Sequence, residues 1–274
     1  ELVPASQFQR ANSLTQVAMA VAGNLIGPVA GTVLFVLWPA APFGLAGLAY
    51  ATGTAITIWL SRRDPAPVPL EGRAAPLKLL AEGLEYLAKH RVLRALAGAV
   101  AIVNLVTSGA IAVAVLYVLQ ELHLPQSTYG LVMASFAVGA IGGGLLTVRL
   151  TRWLGERTAV LISLAAFGVS MVVLGAVRQV VVSVSAMLLM GFFSMVWNIT
   201  VNSYRQRVVP LVLLGRVTSV FRMVAFITMP LGALLAGLGT HAIGLPWTYI
   251  VGGFLLFATA AVAVRPLQDI PNRP

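Results

Sequence analysis

Eight blocks of almost unbroken apolar residues divide this chain: Leu14 to Trp38, Phe43 to Leu60, Ala95 to Leu119, Thr128 to Val148, Thr158 to Val177, Val180 to Val201, Met223 to Thr240 and Trp247 to Val264. Each approaches or exceeds the roughly 20 residues that a helix needs to cross about 30 Å of hydrocarbon. None alternates with period two. Backbone in lipid must satisfy its own hydrogen bonds, so the pattern predicts helices rather than a barrel, and an all-α membrane protein.

One segment breaks the pattern. Residues 61–94 open with "SRRDPAPVPLEGRAAP", too rich in proline and charge for any core. There follows "LKLLAEGLEYLAKH", in which Leu77, Leu80, Leu84 and Leu87 share one helical face and Lys78, Glu82, Glu85 and Lys89 the other. This predicts a short amphipathic helix lying on the cytoplasmic surface of a membrane, its partner being lipid.

Composition agrees with the pattern. Hydrophobic residues make up 59% of the 274, charged residues 9%, and mean hydropathy is +0.92. The net charge of +10 would suit nucleic acid if it formed one patch, but its distribution excludes that reading. Basic residues gather before the first block, in residues 61–94, between blocks four and five, between six and seven, and after eight; on the other side only Arg178 appears. The positive-inside rule places that rich side, and both ends of the chain, in the cytoplasm. The chain has no cysteine, so it has neither a disulfide framework nor thiolate chemistry.

An offset of 206 positions (Val209 minus Val3) lays "VPASQFQRANSL" on "VPLVLLGRVTSV", matching Val3, Pro4, Arg10 and Ser13 to Val209, Pro210, Arg216 and Ser219. The repeat implies that blocks one and two correspond to seven and eight. Counterparts of blocks three to six are then expected ahead of residue 1. The domain reading is therefore residues 1–60 as the last two helices of an N-terminal bundle, 61–94 as a cytoplasmic linker, and 95–274 as a six-helix C-terminal bundle.

Glycine spacing supplies the packing. Gly23, Gly27 and Gly31 form a groove on the first block, with Pro28 bending the helix near Asn24. Ser135, Gly139 and Gly143 in the fourth block have the same spacing and are the expected facing ridge. "GNLIGPVAGT" resembles the antiporter signature of the major facilitator superfamily, G-x-x-x-G-P-x-x-G-G, departing only at Thr32. "LVPASQFQRANSL" and "QRVVPLVLLGRVTSVFRMVAFITMPLGALLAG" resemble its branch of enterobactin and macrolide exporters. A cytoplasmic loop motif of that superfamily is echoed by Gly144, Arg152, Gly155 and Arg157, without its usual aspartate. The resemblance implies helices five to twelve of a twelve-helix transporter, whose two bundles rock about a midplane cavity, with Gly27 and Gly139 in the pivot.

Polar side chains within the apolar blocks mark a candidate cavity: Asn24, Asn104, Ser108, Ser194, Asn198 and Asn202, with Trp197 alongside. Uncharged amides among aromatic and methionine surface suit a small amphipathic organic substrate. Interhelical hydrogen bonding accounts for the same residues equally well. All eight acids lie in tails, loops or the linker, so any coupling proton needs an acid elsewhere. No catalytic, cofactor-binding or metal-binding group is expected, because the three histidines are isolated and no phosphate-binding motif occurs.

The expected function is secondary active export of drug-like or siderophore-like molecules across a bacterial plasma membrane. Protons are the expected coupling ion, and the complete protein is expected to be a monomer. An equilibrative uniporter, a membrane scaffold and a non-functional fragment stay open.

Overall fold

The computed structural model describes residues 40–63, 76–125 and 128–270, together with a few positions between Ser13 and Trp38. Its helices are α1 (Ala41–Arg63), α2 (Pro76–Lys89), α3 (Arg91–Leu116, continued by a π-helical turn, Tyr117–Glu121), α4 (Tyr129–Leu154), α5 (Glu156–Ala176), α6 (Val180–Val208), α7 (Leu211–Ile243) and α8 (Leu245–Ala263). The chain is an all-α membrane protein, and seven of these helices are long and apolar enough to span. The expected first span falls mostly outside the described residues, as do Gly23, Asn24, Gly27, Pro28 and Gly31.

Helix ends extend past the apolar blocks, most of all in α7, which begins at Leu211 rather than Met223. Apolar length measures hydrocarbon depth, whereas the helix continues through Arg216 and Arg222 toward the headgroups. Near its middle, Pro230 deprives the Phe226 carbonyl of its usual amide donor.

Helices α3 to α8 pack mainly in three close pairs, α3 on α7, α4 on α6 and α5 on α8, with α5 also against α6 and α3 against α8. Glycine makes each pairing intimate. A Cβ at Gly109 would stand 2.9 Å from the Gly232 carbonyl oxygen, and one at Gly168 would stand 3.0 Å from that of Gly253. Between α4 and α6, Cβ atoms at Gly139, Gly143 and Gly191 would overlap the backbones of Leu188, Phe192 and Phe136. With lipid outside, such backbone approach gains dispersion contacts that bulkier residues would prevent.

This arrangement changes the expected role of the fourth-block ridge. Gly139 and Gly143 are covered by α6, whose own Gly191 completes the fit, and Ser135 is buried with its hydroxyl donating to the Val132 carbonyl at 2.6 Å. Spacing revealed a smooth face without revealing which helix would lie on it. Ser13, just ahead of the first block, meets α4 on another side, its buried hydroxyl donating to the Gly144 carbonyl.

Two reversals of direction each use a single glycine. Gly155 (φ 76°, ψ 155°) joins α4 to α5, and Gly244 (φ 91°, ψ 156°) joins α7 to α8. That region of backbone space is essentially closed to residues with a Cβ. The loop-motif glycine is thus needed for its turn.

The amphipathic helix α2 does more than lie on a surface. Leu80 and Leu87 pack into the bundle, Gly83 rests against the Arg216 backbone (2.8 Å from its carbonyl oxygen to a built Cβ), and Glu82 pairs with Arg216. Leu77 and Leu84 stay exposed, so the leucine face is divided between α7 and the outside. In contrast, α1 buries none of its described side chains.

Candidate functional site

The arginine-rich end of α6 holds a polar lane. Asn198, Asn202 and Arg205 follow at helical spacing. Asn202 Nδ2 donates to Asn198 Oδ1 at 2.6 Å, and the Arg205 guanidinium donates to Asn202 Oδ1 at 2.7 Å. Arg205 also lies over the Phe221 ring of α7, 4.8 Å from its centroid, a cation–π contact that ties α6 to α7. The next residue on α7 is Arg222, exposed and within electrostatic reach of Arg205.

Arg205 was absent from the sequence-derived candidates because it falls beyond the apolar block, among the basic residues that topology alone explains. Its spacing from Asn202, one turn on, was the available signal. Its neighbours differ in placement. Asn198 is exposed, Asn202 and Ser194 are half-buried, and Trp197 is 4% exposed, a core residue rather than part of a cavity wall.

On α3, Asn104 is half-buried, and its amide donates to the Val100 carbonyl at 2.8 Å, a bond within its own helix. Ser108, one turn further along, is also half-buried. A cavity of about 190 Å³ lies elsewhere, between α3, α7 and α8, lined by small and apolar residues including Gly109, Gly232, Ala236 and Gly252. None of the polar candidates lines it.

Ion pairs secure the helix ends. Arg207 grips Glu156 with both terminal nitrogens, one at 2.9 Å, joining the end of α6 to the start of α5. Arg178 meets Glu121 at 2.8 Å on the opposite side, and Arg91 faces Asp269 at 3.6 Å. Glu85 bonds Lys89 at 2.6 Å, which holds its carboxyl below the ordinary glutamate range. Together with Glu82 on Arg216, these pairs engage every acidic side chain among the described residues. Of the loop-motif arginines, Arg152 is exposed and Arg157 half-buried. His90 caps α3, its Nδ1 accepting from the Leu93 amide at 3.5 Å.

The sequence model of a family described as transmembrane secretion effectors matches residues 1–271. Among curated proteins, the chain is 28% identical over 261 residues to the multidrug efflux pump Tap of Mycolicibacterium fortuitum, covering 84% of this chain and 61% of that protein. It is 28% identical over 246 residues to the enterobactin exporter EntS of Citrobacter koseri, and 27% identical to EntS of Escherichia coli O1:K1, covering in each case 87% of this chain and 56% of the relative. The chain therefore spans a little over half the length of the curated relatives it matches.

Proposed function

Because the chain belongs to the transmembrane secretion effector family of the major facilitator superfamily, we propose that it forms helices five to twelve of an exporter of small amphipathic organic molecules. Transport proceeds by alternating access, the two bundles rocking about a cavity between them. The polar lane on α6 carries this reading. Asn198 is exposed on a spanning helix, and a bonded series of amides and one guanidinium leads from it toward the arginine-rich end. Polar groups at such depth are costly unless they face water or cargo. The multidrug and siderophore relatives support the same class of cargo.

The arginine-rich end faces the cytoplasm of a bacterial plasma membrane, as the positive-inside rule requires. The Ser13 to Gly144 contact supports a seal in which the first span meets α4 along Ala140 and Gly144, while Gly139 and Gly143 serve the α4–α6 pairing. Coupling is to protons, and the acid that carries them lies in the other half of the molecule, since the described acids are all in ion pairs at helix ends, in α2 or near the end of the chain.

Vesicles containing the full-length protein test this directly. An antiporter accumulates a dye substrate when a pH gradient is imposed, whereas a uniporter only equilibrates it and a scaffold does neither. Equilibration without accumulation would overturn the coupling, and no movement of any substrate would overturn the transporter.

A further inference from the structure

Building on that transporter reading, we propose that Arg205 and Arg222 form a binding site for the negatively charged group of an organic anion, so that the cargo class includes carboxylate-bearing amphiphiles. Two cations sit where α6 meets α7, and the described residues supply no anion to either. The charge of Arg205 is met by one amide oxygen and one aromatic face, and its buried Nε–H has no acceptor. Arg222 takes part in no ion pair among the described residues. The described acids that could have answered them are already committed to Arg216, Lys89, Arg178, Arg207 and Arg91.

Partners separate these arginines from the others at the same end of the bundle. Arg207 and Arg216 sit near helix ends and hold glutamates. Arg222 is eleven residues into α7 (222 minus 211), about 16 Å along the axis at 1.5 Å per residue. Placing two like charges together is unfavourable unless an anion joins them. A guanidinium binds a planar carboxylate through paired donors, and Asn198, exposed at the inner end of the lane, offers the neutral part of such a molecule a polar contact. Phe226, exposed one turn past Arg222 on α7, supplies apolar surface for an amphiphile's hydrocarbon side.

The experiment compares two xanthene dyes of similar size and opposite charge, carboxyfluorescein and rhodamine 6G, in everted vesicles carrying the full-length protein. Wild-type protein should take up both. Arg205→Gln with Arg222→Gln should raise KM for carboxyfluorescein at least about tenfold while rhodamine uptake stays within about twofold, and Arg205→Lys with Arg222→Lys should recover part of the loss. Raising salt should weaken carboxyfluorescein uptake alone. Equal loss of both dyes would overturn the site, showing the arginines to be structural or to hold an acid of the other bundle. Unchanged carboxyfluorescein kinetics, or wild-type transport restricted to rhodamine, would also overturn it while leaving the transporter reading intact. Failure of wild-type protein to move either dye would overturn the transporter reading, and the site with it.

Discussion

The Tyr117 hydroxyl lies 2.7 Å from the Ser183 hydroxyl and donates to the Leu174 carbonyl at 2.9 Å, joining the π-helical end of α3 to α5 and α6. The Tyr249 ring of α8 packs beside it, centroids 5.1 Å apart. At this end of the bundle, opposite the arginine-rich one, two tyrosines connect four helices. Replacing Tyr117 with Phe keeps the packing and strands one hydroxyl and one carbonyl, so it should cost about 1 kcal/mol, as interhelical bonds in membranes typically do. Thermal unfolding of the purified full-length protein measures this, and the added effect of Ser183→Ala should be less than its effect alone.

Neighbouring glycines on α4 should respond differently to the same methyl group. A Cβ at Gly139 or Gly143 enters the backbone of α6, whereas at Gly142 its nearest contact is a Phe192 ring carbon at 3.7 Å. Gly142→Ala should leave the melting temperature nearly unchanged. Gly139→Ala and Gly143→Ala should each destabilise by about 1–3 kcal/mol, the usual cost of overfilling a close contact.

The proposed seal between halves can be read by crosslinking in full-length protein, to which this chain contributes no cysteine. Ser13→Cys with Gly144→Cys should form a disulfide readily under mild oxidation and arrest transport. Ser13→Cys with Gly139→Cys should not, because α6 occupies that face. Efficient crosslinking of the second pair would restore the Gly139 ridge as the contact between halves.

Docking of α2 rests on Glu82 and on the absence of a side chain at Gly83. Gly83→Val should displace the helix from the Arg216 backbone, and amide exchange across residues 76–89 should rise by about tenfold or more, as expected for loss of a local closed state. Glu82→Gln should have a smaller effect, because a half-exposed ion pair contributes only about 0–1 kcal/mol.

Much of the fold was legible because hydrocarbon thickness imposes length on every spanning helix. Blocks two to eight became helices, and Val180 began one as expected. The starts and stops were less legible: α7 runs through Arg216 and Arg222 because long basic side chains reach the interface while their backbone stays helical. Partner choice was least legible. Equal spacing of Gly139 and Gly143 fits any small-faced helix, and only the fold shows that Gly191 of α6 presents one. The α6 amides were legible as rare polar groups in lipid, but Arg205 was hidden by belonging to two patterns at once.

Three pairs of helices laid glycine to glycine or glycine to backbone leave α3 to α8 little room to shear. Under the proposed rocking of two bundles, these six helices should move as a stiff plate, with the strain collected at α2. That helix is half gripped and half bare, which suits it to serve as a compliant strap in such a motion.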